Sequence, residues 1–119
     1  MTIAIDAQIP LLAEALESNH HMKILRFYGR NLSQQMLHDC IALCVRSTTR
    51  VNASLLTGTP IRFVGTATSG TEHIDIDFLH SHGITFADAK GCNANSVAEY
   101  VIFAMLLWAE SLGLLSSTR

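Results

Sequence analysis

Short runs of aliphatic and β-branched residues alternate along the chain with stretches of helical spacing and with loops rich in Gly, Ser, Thr and Asn. Strand-like runs are expected at Thr2–Asp6, Lys23–Phe27, Cys40–Val45, Arg62–Gly65 and Ile84–Ala87. Pro10 suits the first turn of a helix, and Leu11, Leu12, Ala15 and Leu16 continue it as an apolar stripe to Asn19. Ser33–His38 reads as a short helix. Asn52 reads as the N-cap of a helix through Leu56 with Gly58 just past its end, and Ile74–Ser81 reads as a further helix. Cys40–Val45 is apolar throughout, as a strand covered on both faces should be. Strand and helix alternating in this way predict an α/β fold: a flavodoxin-like parallel sheet of about five strands with right-handed crossovers. Nothing between residues 1 and 119 reads as a linker, an internal repeat or a low-complexity tract.

The last element departs from this pattern. Ser96 and Glu99 form a capping-box pair, and Val97, Val101, Ala104, Met105, Trp108 and Leu112 then mark one face of a long C-terminal helix. Tyr100, Ile102, Phe103, Leu106 and Leu107 make its other faces apolar as well. A helix apolar all round needs cover on more than one side, and a single five-stranded sheet supplies one. The helix therefore predicts a second body packed against it.

Composition narrows the class. Apolar residues make up 49% of the 119 and charged residues 15%, which excludes general disorder. A net charge of −2 with scattered Lys and Arg argues against nucleic acid as a partner. Val101–Ala109 is too short for a membrane span, and MTIAID lacks the basic start of a secretory signal, so a cytoplasmic protein is expected. Three cysteines leave at least one unpaired. Cys40 and Cys44, expected on one face of one strand about 13 Å apart, are too distant for a disulfide, which needs about 7 Å. His20-His21 reads as a solvated turn pair, and no metal-ligand spacing occurs.

Candidate chemistry concentrates in RFVGTATSGTEHID, residues 62–75. An apolar run feeds a loop of Gly65, Thr66, Ala67, Thr68, Ser69, Gly70 and Thr71 and then the start of a helix. Hydroxyls and successive backbone N–H groups at a strand's carboxyl end suit a small anion. An ordinary strand-to-helix loop with a Ser/Thr cap fits the same residues. His73, Asp75 and Asp77 do not read as a catalytic set, because residues two apart on a helix face different ways and first-turn acids answer the helix dipole. Arg46 reads as a solvated charge at a strand end, and Cys92 as a small buried residue with no basic partner in sequence.

Four stretches carry a resemblance. Ile5-Asp6 with Ile9-Pro10, VRSTTRVNASLLTGTPIRFVGTATSGTEHIDID over Val45–Asp77, Gly83-Ile84 and GCNANSVAEYV over Gly91–Val101 resemble the amino-terminal part of the D-isomer-specific 2-hydroxyacid dehydrogenases. The long middle block and the GCNA segment are most similar to the branch acting on 4-phospho-D-erythronate; Ala7 stands where that family usually has an acid. The resemblance implies that residues 1–119 form a portion of the substrate domain, with the nucleotide-binding domain outside it. It also implies that the Arg, Glu and His catalytic residues lie past Arg119, so no catalytic residue is assigned here. Substrate contact is carried onto Ser47 and Thr68, each expected to donate to an anionic group of a small phosphorylated hydroxy acid; without the resemblance, each would read as a turn hydroxyl. NAD is implied as the cofactor of the full-length enzyme, and a homodimer as its assembly. None of the seven glycines is spaced G-x-G, so no cofactor-binding residue is assigned in this chain and it is expected to be inactive alone.

Two other readings stay open at this stage. One is a standalone, non-catalytic module that binds a small phosphorylated acid or docks on a protein through the long helix. The other is a family member with a different 2-hydroxy acid as substrate.

Overall fold

The computed structural model describes residues 2–9, 23–68, 70–88, 105, 107–111 and 113. Among them five strands form one sheet: β1 (Thr2–Asp6), β2 (Lys23–Phe27), β3 (Cys40–Val45), β4 (Phe63–Thr66) and β5 (Thr85–Ala87). Their order is β2-β1-β3-β4-β5 and every neighbouring pair is parallel, which is the flavodoxin-like order expected from the sequence. The Pro10–Asn19 stripe, the Ser96 capping box, Cys92 and most of the residues expected to form a long C-terminal helix lie outside the described residues.

Burial follows the pleat. Ile3, Ile5, Ala42, Cys44 and Phe63 point to one side of the sheet, and Ala4, Leu43, Val45 and Val64 to the other. Each side has its own apolar cluster, as side chains alternating along strands covered on both faces require. On the first side Met105, Trp108 and Ala109 are buried at helical spacing, and the Trp108 ring lies 5.1 Å from that of Phe63, tilted by 40°. Such a ring pair contributes about 0.5–1.5 kcal/mol beyond its buried area. Leu107, on the opposite face of the same helical turn, is 51% exposed.

Helix ends are set by local chemistry. Helix α1 (Ala53–Leu56) starts where Asn52 Oδ1 accepts from the Leu55 amide at 3.2 Å, and Gly58 beyond it takes φ +83°. Helix α2 (Ile76–Ser81) starts two residues later than the apolar spacing suggests. Ile74 pairs with Val51 in an isolated parallel bridge, and Asp75 then caps the helix, its Oδ1 accepting from the Phe78 amide at 3.1 Å. Residues Gln34–Leu37 form a 3-10 turn rather than the full Ser33–His38 helix, and Ser33 makes no capping bond.

One expectation is overturned. Cys40 and Cys44 do not share a face: Cys40 sits with Leu43 and Val45, and Cys44 with Ala42 and Ile5. The cause is a register shift in the β1–β3 pairing, where Thr2 pairs with Cys40 but Ile3 with Ala42. Ile41 is the extra residue, and it packs on the same side as Ala42, so strict alternation fails there. Both thiols are free and buried.

Candidate functional site

In this strand order the chain leaves β1 toward β2 and leaves β3 toward β4, so the loops diverge between the carboxyl ends of β1 and β3. A crevice at such a switch point is the usual ligand site of an open parallel sheet. Here hydrogen bonds tie its rim together. Asp6, the last residue of β1, is fully buried, and its Oδ1 accepts from the Gln8 amide at 2.9 Å. Across the gap Arg46 Nη1 donates to Gln8 Oε1 at 2.6 Å. Arg46 thus spans the switch point instead of standing free in solvent.

The loop after β2 meets the same rim. Thr49 Oγ1 donates to the Gly29 carbonyl at 3.1 Å. A Cβ on Gly29 would collide with Thr48 Oγ1 and come within 3.3 Å of Asp6 Oδ2, so only glycine lets these loops approach. Asp6 Oδ2, though buried, has no hydrogen-bond partner among the described residues.

The loop after β4 holds the most organised polar group. Thr66 is buried at the end of β4, and the next amide, of Ala67, donates to the Val45 carbonyl at 2.9 Å. Thr66 Oγ1 lies 2.8 Å from Thr68 Oγ1 and 2.9 Å from His73 Nε2, and Thr68 Oγ1 donates to the Gly70 carbonyl at 2.8 Å. His73 is set in place by its backbone, since its carbonyl accepts from the Val51 amide at 2.8 Å beside the Val51–Ile74 bridge. Burial of the ring holds its pKa below 6.5; Glu72 pulls the other way, and Arg50 adds a smaller push downward. Arg50, Val51, Asn52, Glu72, His73, Ile74 and Asp75 line a cleft of about 280 Å³ on this flank.

The sequence-expected contacts fall at equivalent steps of this edge. Val45 pairs with Thr66, so Ser47 and Thr68 each stand two residues beyond the paired ends of adjacent strands. Ser47 is exposed and makes no side-chain hydrogen bond among the described residues, whereas Thr68 is half-buried and bonded twice. No hydrogen bond joins the two. His73, Asp75 and Asp77 do not act together: Asp75 caps α2, Asp77 lies exposed in its first turn, and His73 turns to Thr66. Sequence reasoning missed the His73–Thr66 link, and nothing in residue spacing marks it. It also missed Gln8 as the partner of Arg46. Among the described residues no group of three or more His, Cys, Asp or Glu is placed to hold a metal, and no helix is long and apolar enough to cross a membrane.

Relatives share more than the fold. The chain is 48% identical over 114 residues to the erythronate-4-phosphate dehydrogenase of Marinobacter nauticus, which covers 96% of this chain and 29% of that protein. It is 46% identical over 113 residues to the enzyme of the same name from Chromohalobacter salexigens, covering 95% and 29%. The chain therefore spans under a third of the length of these relatives. Its fold is similar to that of a crystal structure of D-lactate dehydrogenase from Aquifex aeolicus complexed with NAD and lactic acid, with a TM-score of 0.63 and 24% identity over 90% of this chain and 33% of that one. The family model for the D-isomer specific 2-hydroxyacid dehydrogenase catalytic domain matches residues 3–118, and the chain belongs to that family.

Proposed function

We propose that this chain is the substrate-side portion of an NAD-dependent dehydrogenase that oxidises the 2-hydroxyl of 4-phospho-D-erythronate to 2-oxo-3-hydroxy-4-phosphobutanoate in the synthesis of pyridoxal 5'-phosphate. The observation that carries the reading is identity of 46–48% to erythronate-4-phosphate dehydrogenases over nearly all of the chain. The carboxyl edge of the sheet supports it, because Ser47 and Thr68 offer small hydroxyls two residues beyond the paired ends of β3 and β4, on the edge where such ligands bind. In this reading Ser47 and Thr68 contact the substrate. The same reading has NAD held outside the β4 loop, whose glycines are five apart where a dinucleotide turn spaces them G-x-G. The working assembly is a cytoplasmic homodimer, supported by the apolar residue Leu107 left exposed on the helical turn whose other face is buried.

The test is a titration of the isotope-labelled chain with 4-phospho-D-erythronate, followed through amide shifts. Saturable shifts are expected at residues 46–48 and 66–73, and weaker ones with D-lactate, which lacks the phosphate. Absence of saturable shifts, or shifts confined to the opposite edge of the sheet, would overturn the reading. Mixed with NAD and 4-phospho-D-erythronate, the chain by itself is expected to produce no reduced nicotinamide.

A further inference from the structure

The hydrogen bonds of the β4 loop fix where every proton lies. A carbonyl oxygen can only accept, so the 2.8 Å contact from Thr68 Oγ1 to the Gly70 carbonyl uses the single proton of Thr68. In its 2.8 Å contact with Thr66 the Thr68 hydroxyl must then accept, and Thr66 must donate. The proton of Thr66 is thereby spent, so His73 Nε2, 2.9 Å away, has to carry a hydrogen and donate to Thr66 Oγ1. Reversing the chain would leave two acceptors, Thr68 Oγ1 and the Gly70 oxygen, facing each other with no proton between them. Four groups thus form one directed relay from His73 through Thr66 and Thr68 to Gly70.

We propose that His73 is a positioning residue which, through Thr66, presents Thr68 to the substrate as a hydrogen-bond acceptor, so that Thr68 reads a ligand hydroxyl and not a carboxylate or phosphate oxygen. A hydroxyl oxygen has one proton and two lone pairs; in Thr68 the proton goes to Gly70 and one lone pair takes the proton of Thr66. What remains is a single lone pair on the hydroxyl of a half-buried residue at the ligand edge of the sheet. An anionic oxygen there would meet a lone pair, and a hydroxyl would bring the missing proton. Ser47, which has no such internal partner among the described residues, keeps its proton for an anionic group. Burial disfavours the charged form of the His73 ring, and a neutral ring with Nε2 protonated has Nδ1 as an acceptor. This assignment rests on the substrate-binding reading above and adds which part of a hydroxy acid Thr68 recognises.

Two measurements on the 119-residue chain test it, one of them free of any ligand. Nitrogen-15 spectra of labelled histidine are expected to show His73 as the Nε2–H tautomer; an Nδ1–H tautomer would overturn the relay. The second compares 4-phospho-D-erythronate with 4-phosphobutanoate, which has the same ionic groups and no hydroxyls. The hydroxylated ligand, which carries two hydroxyls, is expected to bind tighter by a factor of at least about 2–10, the range for a neutral hydrogen bond from one of them to Thr68. Thr66→Val and His73→Phe free the Thr68 hydroxyl to turn its proton from Gly70 to an anionic ligand oxygen, so that ratio should fall by about the same factor while 4-phosphobutanoate still binds. Thr66→Ser, and His73→Gln with its amide N–H near the position of Nε2, should restore it. A ratio that survives in folded Thr66→Val overturns the inference, and so does equal binding of the two ligands by the unaltered chain; in both cases the function proposed above stands. Failure of both ligands to bind overturns that function, and with it the role given to Thr68, while the tautomer still decides whether the relay exists.

Discussion

Gly29 and Thr48 are 19 residues apart in sequence and pack so closely that a Cβ on Gly29 would come within 2.9 Å of the Thr48 Cβ, besides colliding with its hydroxyl. The contact joins the loops that follow β2 and β3, and Asp6 at the end of β1 borders it. Gly29→Ala is expected to destabilise the chain by about 1–3 kcal/mol, the usual cost of overpacking. In a Thr48→Gly background the same change should cost much less, because the obstructing atoms are gone. Denaturant midpoints of the four proteins in this cycle give the coupling directly. Equal costs in both backgrounds would mean that Gly29 is needed for another reason.

Ser47 should matter for binding and little for stability. It is exposed and free of side-chain bonds among the described residues, so Ser47→Ala should leave the melting temperature almost unchanged. Affinity for 4-phospho-D-erythronate should fall by about 1.5–3 kcal/mol, as for a hydrogen bond to a charged group. Calorimetric titration of the variant measures this. Unchanged affinity would remove Ser47 from the substrate contacts.

Stability should decline toward both ends of the pH scale for separable reasons. His73 has a folded pKa below its ordinary 6.5, so on acidification through that value the unfolded chain takes up a proton that the folded chain refuses. Its contribution is fully present above pH 6.5 and is lost as pH falls toward the folded pKa. His73→Gln should flatten that part of the profile. At the alkaline end, burial raises the Cys44 thiol to about 12, and burial together with the charge of Asp39 raises Cys40 to about 11. Above the ordinary value of 9.0 the unfolded thiols ionise while the folded ones keep their protons, so stability falls between pH 9 and those values. Urea midpoints for the unaltered chain, His73→Gln and Cys44→Ala across this range would show each share. The same raised values predict that neither thiol is alkylated in the folded chain near pH 8.

The Trp108–Phe63 contact should account for much of the attachment of the 105–111 region to the sheet. Trp108→Ala is expected to cost about 3–5 kcal/mol, as large aromatic truncations in a core do. Leu107→Asp, on the exposed side of the same turn, should cost little stability and should shift the chain toward monomer in sedimentation if that face joins two copies. A monomer before and after the change would remove the dimer from the proposed assembly.

Element type and order were legible in the sequence because the forces behind them are local. Apolar runs such as Cys40–Val45, the cap at Asn52 and the glycine at 58 act within a few residues, and each stands where their spacing puts it. The parallel sheet followed from that alternation, the flavodoxin-like order expected with it is the one observed, and the family was legible in the FVGTATSGTEHID and GCNA segments. Three features were not legible, and each depends on contacts between distant segments. Cys40 and Cys44 face opposite sides of the sheet because β3 pairs with β1 through a register shift, which the sequence of β3 alone does not encode. Gly29 is required by Thr48, a neighbour created only when the loops after β2 and β3 converge. The Thr68 hydroxyl points to the Gly70 carbonyl and takes a proton from Thr66, which His73 reaches from the segment beside the Val51–Ile74 bridge, seven residues further along the chain. Sequence determined which groups could hydrogen-bond at this edge. Tertiary packing decided which of them donate, because a proton's position is set by all of its neighbours at once.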